Sequence, residues 1–130
     1  MGPRRPRAVV LDSGALIAFE KNDRKVRTLI ELALAHGTSL WTAGGVVAQV
    51  WRDGSRQARL ARLLGSGLVQ IQPLDREEAQ ATGVLCGETG TRDIVDASVV
   101  LLARKYAATI VTSDPDDLRR IDPAAQLVAC

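Results

Sequence analysis

The stretch that decides the fold is AVVLDSGALIAFE, residues 8–20. Its first four residues are apolar, a short continuous run of the kind that lies buried on both faces of a parallel sheet. Asp12 and Ser13 follow, and either side chain can accept hydrogen bonds from the free N–H groups of a helix's first turn. The apolar residues after Gly14 continue as a helix, so a strand passes directly into a helix. The same junction recurs in ATIVTSDPDDLRR, residues 108–120. There TIVT reads as a strand and Asp114 as the cap of a short helix with Pro115 at its first position, where proline's missing N–H does no harm.

The chain between these junctions alternates in the same way. Val26, Leu29, Ile30, Ala33 and Leu34 follow helical spacing between Lys25 and Ala35, and Gly37 marks the end. TSLWT reads as a second strand. Two helical stretches come next, Val46 to Trp51 and about Gln57 to Leu64, the latter with Leu60, Leu63 and Leu64 as its apolar stripe. LVQIQPL is a third strand ended by Pro73. Asp75 to about Cys86 reads as a helix, GETGTR as a loop, and Ile94 to Tyr106 as a stronger helix capped by Asp93. TIVT is the fourth strand and QLVA a plausible edge strand. This pattern predicts an α/β chain: a three-layer α/β/α sandwich around a mainly parallel sheet of four to five strands.

Composition narrows the rest. A chain of 130 residues, 46% of them hydrophobic, has the size of a single domain, residues 1–130, with a basic tail over residues 1–7. No apolar run approaches the roughly 18 residues of a membrane span, and too few apolar residues follow MGPRRPR to make a secretory signal. Cys86 and Cys130 stand alone without metal-ligand spacing, as expected in a reducing cytoplasm. Two tryptophans, one tyrosine and one phenylalanine are too few for a base-stacking platform, so any contact with nucleic acid rests on charge and backbone. His36, the single histidine, falls at a helix end where a cation suits the dipole. With no G-x-S-x-G and no paired Cys and His, nothing points to a covalent nucleophile.

The net charge of +2 conceals a segregation of acids from arginines. Taken singly, Asp12, Asp93 and Asp114 are credible helix caps. Topology changes that reading, because helices covering a parallel sheet start where strands end. Asp12, Asp93, Asp96 and Asp114 then share the rim at the carboxyl ends of the strands, where open α/β sheets place their ligands. Asp96 lies three residues after Asp93, on the same helix face. Two carboxylates about 4 Å apart repel by ~4 kcal/mol at an effective dielectric near 20, so converging acids call for a positive occupant. A divalent cation such as Mg²⁺ takes oxygen ligands, retains waters and suits phosphodiester hydrolysis by an activated water.

VVLDSGALIAFE, RDIVDASVVLLAR and IVTSDPDDL together resemble, in order and spacing, the three acidic motifs of the PIN-domain ribonucleases, and within them the VapC-type toxins of toxin–antitoxin pairs. The resemblance covers essentially the whole chain. It implies a PIN-like sandwich, Mg²⁺- or Mn²⁺-dependent endoribonuclease activity, a homodimer, and a VapB-like protein antitoxin that blocks the site. Asp12, Asp96 and Asp114 match the family's metal-binding acids, with Asp93 and Asp117 as further members; Asp116 is expected to face solvent. Ser13 and Thr112 stand where similar proteins use a hydroxyl to hold a carboxylate or a water, and both also read simply as caps. The family usually carries a glutamate in the helix after the second strand. Gln49 stands there instead, which implies a weaker hold on a metal, above all on a second ion; Asp53 is a weaker substitute.

Arg52, Arg56, Arg59 and Arg62 fall at helical spacing, a stripe that suits RNA phosphates, an antitoxin segment, or merely a solvated face. Arg92 is the arginine nearest the acids and either binds phosphate or pairs with them. Two other classes compete. One is a catalytically weakened PIN-fold module that binds RNA or protein, for which Gln49 is the motive. The other is an aspartate-based phosphatase or phosphotransfer domain, which Gly14 and TSDP fit poorly.

Overall fold

A computed structural model describes residues 7–130; Arg4 and Arg5 of the basic tail lie outside them. At Arg7 the chain already pairs with its neighbour, since its carbonyl accepts the Ser39 N–H at 3.0 Å. The elements run β1 (Ala8–Leu11), α1 (Ser13–Glu20), α2 (Arg24–Ala35), β2 (Ser39–Ala43), α3 (Gly44–Val50) and α4 (Ala58–Gly65). They continue with β3 (Val69–Gln72), α5 (Arg76–Thr89), α6 (Ile94–Tyr106), β4 (Thr109–Thr112), α7 (Pro115–Ile121) and β5 (Leu127–Ala129). The five strands form one sheet in the order β3-β2-β1-β4-β5, and every pairing is parallel. The expected α/β sandwich therefore stands, with its sheet wholly parallel and QLVA at an edge.

Apolar runs dictate the centre. Val10 and Leu11 of β1, Leu40 of β2 and Ile110 of β4 are buried between helices. Helix α6 supplies Ala97, Val99, Val100 and Leu102 to one face, packs on β1, β2 and β4, and carries α5 and α7 beside it. Helix α1 packs against β1, β4, α2 and α4. A stack of Trp41 on Tyr106, with centroids 4.3 Å apart, closes the far end of α6. No helix of the described residues is long and apolar enough to cross a membrane.

Three local expectations change. Helix α5 runs past Cys86 to Thr89, whose hydroxyl donates to Leu85 O, and stops at Gly90 with φ +76° in the left-handed region that glycine tolerates. Helix α3 stops at Val50 instead of Trp51, and residues 51–57 are not helical. There Gln57 replaces the helical bonds: its Oε1 accepts the N–H groups of Arg52 and Asp53, and its Nε2 donates to Val50 O. The arginine stripe from Arg52 to Arg62 is thus broken, with only Arg59 and Arg62 on α4. Finally, Asp114 precedes α7 but its carboxylate caps nothing.

The sheet order reverses direction at β1. From there the chain adds β2 and β3 on one side, then β4 and β5 on the other, so the switch point lies between β1 and β4. A crevice at this point is a consequence of topology, because the helices after β1 and β4 leave on diverging paths. Asp12 follows β1 and Asp114 follows soon after β4, which puts both acids at this crevice.

Candidate active site

Asp12 forms the floor of the crevice. It is 4% exposed, and its two carboxylate oxygens are held separately: Oδ1 accepts the Ser13 N–H at 2.8 Å and Oδ2 accepts the Thr112 hydroxyl at 2.8 Å. Thr112, fully buried at the end of β4, also accepts the Asp114 N–H at 3.0 Å. One hydroxyl therefore ties the carboxylate after β1 to the backbone after β4. The Asp114 carboxylate makes no bond to the first turn of α7. Close approach of the two strand ends requires Gly14, because a Cβ there would stand 2.1 Å from Ser113 Oγ and 2.6 Å from Ser113 Cβ.

The second wall comes from α6. Asp93 caps the helix by accepting the Asp96 N–H at 2.9 Å, and its own N–H donates to the Thr91 hydroxyl. This fixes Asp96 one turn into the helix, turned toward Asp93 and Asp12. Asp117, in the first turn of α7, joins Asp93 and Asp96 along a single cleft.

Electrostatics record the convergence. Burial pushes the Asp12 carboxyl above its ordinary value, the bonds from Ser13 and Thr112 oppose the rise, and the charges of Asp114 and Asp93 add to it. Asp96 is pushed up to about 7, first by burial, then by the charges of Asp93 and Asp12, a hydrogen bond with Asp93, and the charge of Asp117. Asp12 and Asp96 thus feel the charge of their acidic neighbours, Asp93 and Asp114 acting on the first and Asp93, Asp12 and Asp117 on the second. Their crowding has the cause expected of like charges in a partly dry site, and such shifts cluster where chemistry is done.

Among the described residues, no group of three or more His, Cys, Asp or Glu is gathered as a ready set of metal ligands. Asp93, Asp96 and Asp117 line an open cleft, and Asp12 lies within reach of the charges of Asp93 and Asp96. That arrangement fits a hard cation of the Mg²⁺ type, which is held by one or two carboxylates and keeps several waters. It does not fit a soft metal or a closed cage, since every donor is an oxygen.

The remaining expected residues divide. Ser13 donates its hydroxyl to Gln49 Oε1, so Gln49 stands beside the acid floor, joined to it through the serine. Asp53 is tied to Ser55 and Arg56 in the loop after α3. Asp116 faces solvent and pairs with Arg119 at 3.6 Å. Arg92 borders the acidic cleft. Arg52 donates to the Ala48 and Trp51 carbonyls, and Arg56 pairs with Asp53. Arg59 and Arg62 line an apolar hollow with Phe19, Leu63 and Leu68 that shares no residue with the acidic cleft. Sequence reasoning passed over two residues at the site: Gly14, whose signal was its place two residues after the first acid, and Arg120, which only the packing of α7 brings to the cleft.

A parallel α/β sandwich with carboxylates crowded at its switch point is the architecture of a small acidic-site domain. The family model of the PIN domain matches residues 9–123, and the chain belongs to that family. No curated protein matches it in sequence. Among solved structures it is similar to VapBC2 from Rickettsia felis bound to a DNA fragment from its promoter, at TM-score 0.70 and 17% identity over 95% of this chain and 98% of that one. VapBC-1 from nontypeable Haemophilus influenzae gives 0.63 and 16%, over 94% and 97%. FitAcB from Neisseria gonorrhoeae gives 0.60 and 15%, over 92% and 95%.

Proposed function

We propose that this chain is a Mg²⁺- or Mn²⁺-dependent endoribonuclease, the VapC-type toxin of a toxin–antitoxin pair, acting on RNA in the cytoplasm as a homodimer restrained by a VapB-like antitoxin. The observation that carries the proposal is the gathering of acids at the switch point of the sheet: Thr112 ties Asp12 to the turn at Asp114, Asp93, Asp96 and Asp117 line one cleft, and Asp12 and Asp96 are both pushed up by burial and by their acidic neighbours. Membership of the PIN family supports nuclease chemistry, and the neighbours' VapBC and FitAcB assemblies support a protein partner.

Asp12, Asp96 and Asp114 would hold the ion, with Asp93 and Asp117 adding negative charge around it. When bound, a divalent cation supplies Lewis acidity and makes water a stronger nucleophile near neutral pH. The chain's own residues set the stage for that chemistry. Thr112 keeps the Asp12 carboxylate in one orientation through a 2.8 Å bond, and the Asp93 cap holds Asp96 in place. The Asp96 carboxyl, pushed up to about 7 by burial and by the charge of Asp93, would be held in its ionised form by a bound cation. The Ser13–Gln49 bond steadies the side of the floor where the family's glutamate would stand.

A second reading, a PIN-fold module that binds RNA without cleaving it, is favoured by Gln49, a neutral amide whose carbonyl oxygen is already engaged by Ser13. Incubation of a mixed RNA pool with purified protein in Mn²⁺, in Mg²⁺ and in chelator, beside Asp96→Asn, separates the two. Cleavage that needs the metal and is lost in Asp96→Asn supports the nuclease; metal-independent RNA binding with no cleavage supports the module.

A further inference from the structure

A cleft of about 450 Å³ opens between the end of α5 and the outer face of α7. Asp93, Asp96 and Asp117 form its inner wall, and Thr89, Gly90 and Thr91 its edge. Two arginines complete it, Arg92 from the loop before α6 and Arg120 from α7. Arg120 spends one arm of its guanidinium on Asp117 at 3.2 Å, yet its side chain is 79% exposed, so the remaining N–H groups face outward. Arg92 makes no ion pair among the described residues and is exposed.

These cations sit where the proposed chemistry most needs them. The acid cluster repels a phosphodiester chain, and the net charge of +2 supplies little general attraction. Arginine presents a planar fork of donors that matches phosphate oxygens. Because Asp93 and Asp96, whose charges meet that of Asp12, also line the cleft, a strand that reaches Asp12 past this wall continues into it. Ile121 is the cleft's only large apolar lining residue among those described, so it lacks the anchors that a peptide partner would fill.

We propose that this cleft is a phosphodiester subsite, in which Arg92 and Arg120 bind the RNA phosphate next to the one being cleaved. The inference rests on the nuclease reading and names where its substrate is gripped. A helix pair such as Asp117–Arg120 is otherwise worth only a few tenths of a kcal/mol on an exposed surface, so stability alone gives little reason for the arginine.

The test uses the full chain and a single-stranded oligoribonucleotide that the wild type cleaves in Mn²⁺. Arg92→Gln, Arg120→Gln, the double variant and Arg120→Lys are compared over a series of salt concentrations, with Arg76→Gln, an exposed arginine at the other end of α5, as a control outside the cleft. Each glutamine should raise KM by roughly 5- to 10-fold, leave kcat within about twofold, and reduce the slope of log(kcat/KM) against log salt by about 0.7. Mn²⁺ affinity should be unchanged, and Arg120→Lys should restore the salt slope without fully restoring KM. Unchanged KM and slope in the double variant would overturn the proposal. So would a loss of kcat together with Mn²⁺ affinity, which would make Arg120 a mere neutraliser of Asp117. Unaltered RNA kinetics with weakened binding of an acidic peptide would give the cleft to a protein partner instead. If the wild type cleaves no RNA, the nuclease reading fails separately, and fluorescence anisotropy with the same oligonucleotide decides the subsite: equal binding by wild type and double variant rejects it.

Discussion

Replacing Thr112 with valine removes one hydroxyl and almost nothing else, since the two side chains have the same shape. That hydroxyl donates 2.8 Å to Asp12 Oδ2 and accepts the Asp114 N–H at 3.0 Å, in a fully buried position. Its bond to a charged acceptor is worth about 1.5–3 kcal/mol, and loss of the partner for the Asp114 N–H adds roughly another 1 kcal/mol. The expected destabilisation is therefore about 2.5–4 kcal/mol, which for a chain of this length lowers Tm by something on the order of 10 °C. The deficit should also depend on pH. Burial already lifts the Asp12 pKa and the Thr112 bond restrains it, so Thr112→Val lifts it further. A raised folded pKa means that stability is present at low pH and is lost as pH rises through that pKa. Near neutral pH the variant should show its full deficit, and the gap should narrow as pH falls toward the ordinary carboxylate range. Thermal and urea melts in chelator near pH 8 and pH 5 measure this, with Thr112→Ser, which keeps the hydroxyl, as the comparison. If Thr112→Val is as stable as wild type near pH 8, the hydroxyl does not hold Asp12 and the account of the site's floor is wrong.

Three further outcomes follow from the same geometry. Because the Asp96 pKa is raised to about 7, the metal-free protein should gain stability as pH falls through that value, whereas Asp96→Asn should melt higher than wild type above it and show a flatter pH profile; parallel profiles would contradict the crowding of the acids. Gly14→Ala should cost about 1–3 kcal/mol through the clash with Ser113, and adding Ser113→Gly should recover part of that loss in urea titrations; an unaltered midpoint would mean that the strand ends are not so close. Asp116→Ala, which removes only a solvent-exposed pair with Arg119, should leave cleavage intact and stability within about 0.5 kcal/mol, and a loss of activity would place Asp116 in the site after all.

The fold was legible wherever a strand fed a helix through an aspartate. AVVLD carries both the apolar run and the capping residue, TIVT the apolar run, and the start of α6 the cap at Asp93, so local propensity and topology agree there. The convergence of the acids followed from the parallel order of the strands alone. What failed did so for identifiable reasons. The Arg52–Arg62 stripe assumed one continuous helix, but Gln57 takes over the backbone groups after Val50, a side-chain bond that periodicity does not register. Asp114 looked like a side-chain cap because Pro115 follows it, but at φ −124° and ψ 59° its carboxylate makes no bond to the helix. Helix α4 starts without a cap of its own, and Glu20 at the end of α1 accepts the Leu60 N–H at 2.7 Å, a contact between distant segments that no local pattern announces. Arg120 escaped notice for the same kind of reason: its importance arises only when α7 packs beside α6 and faces the end of α5.

The central claim, that the five acids form one cation site, is tested most directly by calorimetric titration of Mn²⁺ into the metal-free protein in buffers of different ionisation enthalpy. With the Asp96 pKa at about 7, binding near pH 6 should release about 0.9 proton per protein and near pH 8 about 0.1, with tighter binding at the higher pH. Asp96→Asn should bind more weakly and release almost no proton at either pH. Mn²⁺ binding that is absent, or that occurs with no proton release near pH 6 and is unaffected by Asp96→Asn, would contradict the site as described.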